Sequence, residues 1–417
     1  MTQRHIAVVA PPWYPVPPDG YGGIELVVGL LCNAIRQAGH RVTLLAADGS
    51  EPDAIALAPR SWRADLGGPT ERLRELTYAT RVAGMLRQLG GIDVIHDHCG
   101  FSTLVAASVA GIAPVVHTVH GNIPEPYATF YSSVGRSVGF VSISAAQRQS
   151  MPELPWIGTV HNAVDVDALR VTPDEKQPYL LCLARICPDK GQHVAIEVAR
   201  RAGMRLILAG KVEAIPEATE YFERYIAPAV DGDRVVHVSN VAGEEKSRLL
   251  ARAHALLAPL QWDEPFGLAL VEAMASGTPV IAIARGAAPE LIIEGVTGFL
   301  VRDVEGMTAA VPLAAAVDPW ACADATRARF RPSAMAASYL ELYEEIMWNA
   351  RVLPEPDERA SVPGEALLVG RGESHPVAGL EVTGDSSSLL TVMAPPWPRH
   401  RRYGTQVSGA GGVDASA

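Results

Sequence analysis

Short apolar runs alternate along most of this chain with stretches whose apolar positions recur at helical spacing. His5–Ala10, Arg41–Ala47, Asp93–His96, Pro114–Val119 and Phe140–Ser144 are compact apolar segments, the pattern of strands buried on both faces of a parallel sheet. Between the first two, Gly22–Ala38 places Leu26, Val27, Leu30, Leu31 and Ile35 on one helical face, and Gly39 supplies a C-terminal stop. Strand, helix and strand make a complete βαβ unit.

The alternation restarts after Arg170–Pro178, a polar, proline-bearing break that reads as an interdomain linker. Tyr179–Ala184 predicts a strand and Gly191–Ala202 a helix stopped by Gly203. Arg205–Ala209, Arg234–Val238, Ala255–Pro259, Pro279–Ala282 and Gly298–Val301 continue the strand series. Strands alternating with helices imply parallel sheets covered on both faces. The expected architecture is α/β: two doubly wound, Rossmann-like domains facing each other across a cleft. The first spans residues 1–170 and the second 171–330. A long helix over 331–351, Pro332–Arg351, is expected to return toward the first domain. Residues 352–417 are rich in Gly, Ser, Pro and Ala, lack sustained periodicity, and read as a disordered tail with a short basic patch at Arg399–Arg402.

Composition narrows the function classes. The chain has 417 residues, 48% hydrophobic and 19% charged, a balance that suits two packed cores. A net charge of −11 argues against a general nucleic-acid binder, which needs a basic surface to meet phosphates. The five cysteines form no CxxC pair and no disulfide framework, so reduced thiols in a cytoplasmic protein are expected. The N-terminus enters a strand with no signal-peptide pattern, and Leu104–Val119, the longest apolar stretch, is interrupted by Gly111, Pro114 and His117.

The chemistry concentrates at a few strand ends. Glu264-Pro265-Phe266-Gly267-Leu268 follows a strand and leads into a helix expected to open near Phe266, with Glu272 more than one turn inside it. A crevice at the carboxyl ends of parallel strands is where such sheets bind ligands, and a helix N-terminus offers free N–H groups to an anion. The two carboxylates suit vicinal hydroxyls, those of a sugar or ribose; taken alone, the pair also fits a dipole-complementing residue and a solvated helix residue. Arg185 and Lys190 flank a loop that opens the Gly191 helix, a pair of cations suited to a diphosphate, or simply two surface charges. Gly22 and Gly23 precede the first long helix, where a phosphate or sugar could approach closely, but Glu25 spoils a dinucleotide fingerprint. His96, Asp97 and His98 end one strand, and His117, His120, Gly121 and Asn122 end the next. His96 and His117 read as satisfied structural histidines. No third ligand joins the His-x-His, so no metal site is expected.

At these residues the sequence resembles glycosyltransferase family 4, retaining enzymes of the GT-B fold. Its signature is a glutamate in Glu-Pro-Phe-Gly followed by a second in Glu-Ala-Met-Ala-Xaa-Gly-Xaa-Pro-Val, matched here by Glu264–Gly267 and Glu272–Val280. Val160–Asp165, with Ala163 in place of the usual glycine, Arg285–Leu291 and Gly295–Leu300 extend the similarity over residues 5 to 347. The resemblance implies catalytic roles for His120, Arg185, Lys190 and Glu264. It implies that Glu264 meets the donor hexose and Glu272 the ribose, with Gly22, Gly23 and the amides of Phe266, Gly267 and Leu268 along sugar and diphosphate. His98 and Asn122 resemble acceptor-side positions. The implied reaction is metal-independent transfer of a hexose from a nucleoside-diphosphate sugar to a small molecule, glycan or lipid-linked acceptor, without a cofactor. UDP-glucose is the first candidate donor and GDP-mannose the second. The alternatives are a GT-B nucleotide-sugar epimerase or phosphorylase, or a non-catalytic nucleotide-sugar-binding protein. The expected location is cytoplasmic, with peripheral attachment at the inner face of the membrane left open.

Overall fold

The computed structural model describes residues 2–352 apart from residues 21, 124–126, 135–137 and 214. The expected tail, Val352 excepted, lies outside the described residues, and its basic patch with it.

Among the described residues thirteen strands form two parallel sheets. The first holds β1 (His5–Val9), β2 (Arg41–Ala47), β3 (Ile55–Ala58), β4 (Val94–Asp97), β5 (Val115–Val119), β6 (Val138–Ser142) and β7 (Trp156–Thr159), in the order β3-β2-β1-β4-β5-β6-β7. The second holds β8 (Tyr179–Leu183), β9 (Arg205–Ala209), β10 (Val235–Val238), β11 (Ala255–Ala258), β12 (Val280–Ile283) and β13 (Gly298–Val301), in the order β10-β9-β8-β11-β12-β13. The doubly wound reading therefore holds for both halves. Two strands of the first sheet, β3 and β7, were not expected; each is a four-residue strand at a sheet edge. The boundaries of β4 and β6 also move: β4 runs on to Asp97, and β6 opens at Val138 and closes at Ser142.

Alternation along β1 explains the layering. Ile6, Val8 and Ala10 face a core shared with the Gly23–Gln37 helix, while Ala7 and Val9 face the Glu71–Gln88 and Phe101–Ala110 helices. In the second sheet Leu180 and Cys182 pack with Ala195 and Val198, and Tyr179 and Leu181 pack with Leu270, Val271 and Met274. The Gly23–Gln37 helix ends as its glycine foretold: Gly39 has φ 91°, and the Gly39 and His40 amides return to Arg36 and Ile35 carbonyls.

The last helix, Pro332–Val352, lies against the first sheet. Tyr343 Oη sits 2.6 Å from His96 Nδ1, Tyr339 Oη 2.9 Å from Thr118 Oγ1, and Thr118 Oγ1 2.8 Å from His96 Nε2. All four groups are buried. Each of these side-chain polar atoms has a partner, which offsets the cost of burying it. No described helix is long and apolar enough to cross a membrane.

Both sheets reverse their winding beside the first strand of the domain, between β1 and β4 and between β8 and β11. Segments leaving those strands diverge to opposite sides, so a crevice opens at their carboxyl ends. Gly22–Gly23 follows β1, His98 follows β4, Arg185 follows β8 and Glu264 follows β11.

Candidate active site

Two cavities open at these switch points. The first, about 340 Å³, is lined by His120, Asn162, Arg185, Lys190, Trp262 and Glu264, among others. The second, about 410 Å³, is lined by Gly22, Arg63, Arg185, Lys211, Lys246 and Glu272, among others. Gly23, Leu183, Ala184, Arg185, Leu268 and Ala269 line both, so the two form one cleft bent around Arg185.

Two helix N-termini meet at that bend. The signature helix opens at Leu268, two residues later than expected, because Gly267 at φ 99° is its cap. A side chain there would need a left-handed backbone, which favours glycine. The Gly23–Gln37 helix starts opposite: a Cβ on Gly23 would come within 3.2 Å of Leu268 Cδ1. The first N–H groups of each helix lack intrahelical acceptors, and both dipoles put positive ends at the junction. Arg63, Arg185, Lys211 and Lys246 add cations around the second cavity. Burial first, then the charges of Arg185 and Arg63, hold the Lys211 ammonium below its ordinary pKa. A bend with converging dipoles and crowded cations is built for an anion.

The loop carrying the cations is stitched in place. Gln192, fully buried, donates from Nε2 to the Arg185 carbonyl at 2.7 Å, and the Gln261 amide donates to the Asp189 carbonyl at 2.8 Å. Arg185, Lys190 and Lys246 each have an acidic partner at the cleft. Lys190 Nζ pairs with Glu264 Oε2 and lies 4.8 Å from the centre of the Trp262 ring, whose Nε1 also donates to Glu264 Oε2 at 3.0 Å. Arg185 pairs with Glu213, and Lys246 Nζ donates to Glu272 Oε1 at 2.7 Å. Glu213 and Lys246 were not singled out from sequence. They lie in segments without a motif, and only the folded chain brings them to Arg185 and Glu272. The two signature glutamates reach different places: Glu264 lines the first cavity and Glu272 the second.

The histidines divide sharply. His117 Nδ1 bonds Asp97 Oδ2 at 2.7 Å in a buried pair, and His96 is held by Tyr343 and Thr118, so both are structural. His120 lines the first cavity, and its Nε2 lies 2.9 Å from His98 Nδ1. Burial, with a smaller contribution from His117, pushes the His120 pKa down to about 3, so its imidazole is neutral near pH 7. His98 is only 2% exposed, with its ring centre 4.0 Å from that of His96 at a 40° tilt and its Nδ1 against His120. Asn122 Nδ2 donates to the Asp263 carbonyl at 2.8 Å, tying the loop after β5 to the Glu264 loop of the other domain. No group of three His, Cys, Asp or Glu side chains is arranged for a metal among the described residues.

Glu25, noted in the sequence only for spoiling a fingerprint, is buried in the first turn of its helix beside the Gly22 turn. Burial pushes its carboxyl up to about 7, which reduces the negative charge it brings to the anion site near neutral pH.

Comparison with known proteins places this geometry in a known group. Residues 21–168 match the model described as Glycosyltransferase Family 4, and residues 168–318 match the model described as Glycosyl transferases group 1. D-inositol 3-phosphate glycosyltransferase of Mycolicibacterium smegmatis is 27% identical over 351 residues, covering 72% of this chain and 80% of that protein. The protein of that name from Mycobacterium tuberculosis is 26% identical over 352 residues, covering 72% and 73%. Among solved structures, AviGT4, a glycosyltransferase involved in avilamycin A biosynthesis, is 26% identical with a TM-score of 0.63, covering 83% of this chain and 98% of that one. Sucrose-phosphate synthase from Thermosynechococcus elongatus shares the fold, with a TM-score of 0.69 at 20% identity over 83% of this chain and 100% of that one.

Proposed function

We propose, from the premise that this chain belongs to glycosyltransferase family 4 and is a glycosyltransferase of the GT-B fold, that it moves a hexose from a nucleoside-diphosphate sugar with retention at the anomeric carbon. The observation that carries this reading is the bent cleft. An anion-binding junction with Arg185 and two helix N-termini lies between a cavity lined by Lys190, His120 and Glu264 and a cavity holding Glu272. A nucleotide sugar has that layout: hexose at one end, diphosphate in the middle, nucleoside at the other.

In this reading Glu264 accepts hydrogen bonds from hexose hydroxyls and Glu272 from the ribose diol. The bond between the anomeric carbon and the β-phosphate oxygen breaks, and charge gathers on the departing diphosphate. Arg185, Lys190 and the helix amides are fixed beforehand and stabilise that charge as it develops. The acceptor oxygen bonds to the anomeric carbon on the face the diphosphate leaves, and its proton passes to a phosphate oxygen. Neutral His120 contributes a hydrogen bond at the hexose without adding charge beside a carbon of oxocarbenium character.

The donor expected first is UDP-glucose and the second GDP-mannose. The mycobacterial relatives are named for D-inositol 3-phosphate, which makes that compound the first acceptor to assay. Protein cations and amides take the place of a divalent ion in this proposal, so transfer should survive EDTA. The test is a melting-temperature screen of nucleotide sugars, followed by nucleoside-diphosphate release with the stabilising donor, with and without EDTA. Full loss of release in EDTA, restored by Mg²⁺ or Mn²⁺, would overturn the metal-independent part.

A further inference from the structure

We propose that Glu290 is an interdomain closure latch, a positioning residue that sets His120 of the first domain against Glu264 of the second. Glu290 lies in the Ala288–Leu291 turn of helix, away from both cavities' lining. Its carboxylate crosses to the first domain. Oε2 accepts from the Ala145 amide at 2.8 Å and Oε1 from the Ala146 amide at 2.7 Å. His161 Nε2 stands 3.3 Å from Oε2.

Each end of this contact is tied to one half of the active site. On the first-domain side, Ala145 and Ala146 open the helix that carries Gln147, which is 2% exposed. Gln147 Oε1 accepts from the Ile143 amide at 2.8 Å, and its Nε2 donates to the carbonyls of Val119 at 2.9 Å and Gly121 at 2.8 Å. Those carbonyls flank His120, so the helix that Glu290 grips is the one that fixes the His120 backbone. On the second-domain side, the Ala287 amide donates to the Glu264 carbonyl at 2.9 Å, and Gly286 lies against the Glu264 backbone with no room for a side chain. Arg329 holds the far end of the turn through the Glu290 carbonyl at 2.6 Å and the Leu291 carbonyl at 2.9 Å. Glu290 is thus rigid with Glu264, and Ala145–Ala146 with His120. A carboxylate at the free amides of a helix start is a charge-assisted contact, yet one that separates as a unit when the domains part.

The inference rests on the glycosyltransferase reading, because closure then completes the site around the donor sugar. Two variants of the full chain test it. Glu290→Ala removes the acceptor. Ala145→Pro removes one donor at the first position of a helix, where proline fits; Ser144 before it is already extended, at φ −158° and ψ 160°. Donor contacts stay intact, so Glu290→Ala should lower kcat about tenfold while the KM for donor moves by no more than about twofold. Ala145→Pro should shift kcat in the same direction with a smaller loss. Small-angle scattering of the protein without nucleotide should give a larger radius of gyration for Glu290→Ala than for the parent. If Glu290→Ala proves unfolded on melting, Ala145→Pro decides alone. Unchanged kcat and unchanged radius in folded variants, or a rise confined to KM, would overturn the latch. A parent protein that neither binds nor cleaves any nucleotide sugar would sink the functional reading instead, and the scattering comparison would still judge the latch.

Discussion

Lys190→Ala is expected to lower kcat by about a hundredfold, the upper end for a hydrogen bond to a charged group. In the proposed reaction Lys190 serves both ends of the reacting bond. In that reading its ammonium faces the departing diphosphate, and in the structure it pairs with Glu264, with both side chains only 13% exposed. Removing it takes a positive charge from the departing diphosphate and leaves the Glu264 carboxylate with Trp262 Nε1 as its remaining partner in the cleft. Breaking one side of an enclosed ion pair costs about 3–5 kcal/mol, so the variant should also melt earlier, and rates belong at a temperature where it is folded. Arg185→Ala should fall in the same direction by about tenfold, because Lys211 and Arg63 stay at the cavity. Steady-state release of nucleoside diphosphate is the readout. A folded Lys190→Ala protein with parental kcat would remove Lys190 from the reaction.

The two glutamates should fail in different ways. Glu272 lines the second cavity, where the nucleoside is proposed to lie, and is held by Lys246. A contact to the ribose is equal in ground and transition states, so Glu272→Gln should raise the donor KM by about tenfold and leave kcat nearly untouched. Glu264 lines the cavity of His120, where the proposal puts the carbon whose charge and geometry change. Glu264→Gln should therefore lower kcat about a hundredfold and blur discrimination between donor sugars. Both are checked by full Michaelis curves with the donor found in the melting screen. If Glu272→Gln lowers kcat while Glu264→Gln changes only KM, the donor lies the other way round in the cleft.

Much of this was legible in the chain itself, for a physical reason. Doubly buried strands are continuous apolar runs, so β2, β9 and β13 have the bounds read from sequence. The strands that were missed, β3 with Ile-Ala-Leu-Ala and β7 with Trp-Ile-Gly-Thr, are short edge strands with no room for a period to show. Within the site, Arg185, Lys190, Glu264 and Glu272 stood out because each lies in a local motif at a strand end. The partners of Arg185 and Glu272 did not. Glu213 is 28 positions from Arg185 and Lys246 is 26 from Glu272, and no short-range pattern encodes such a pairing. The burial of His98 and its contact with His120 are likewise not encoded in its place at a strand end. Glu290 lay within a matched segment, but its reach into the first domain exists only once both domains are folded.

The most direct test of the central claim is ¹H NMR of the first-formed product with an α-linked nucleotide sugar that raises the melting temperature. One nucleoside diphosphate should appear for each sugar transferred or hydrolysed, with the sugar in the α-configuration before any mutarotation. A β-configured product would contradict retention, and a protein stabilised by the nucleotide sugar that never releases nucleoside diphosphate would contradict the enzyme itself.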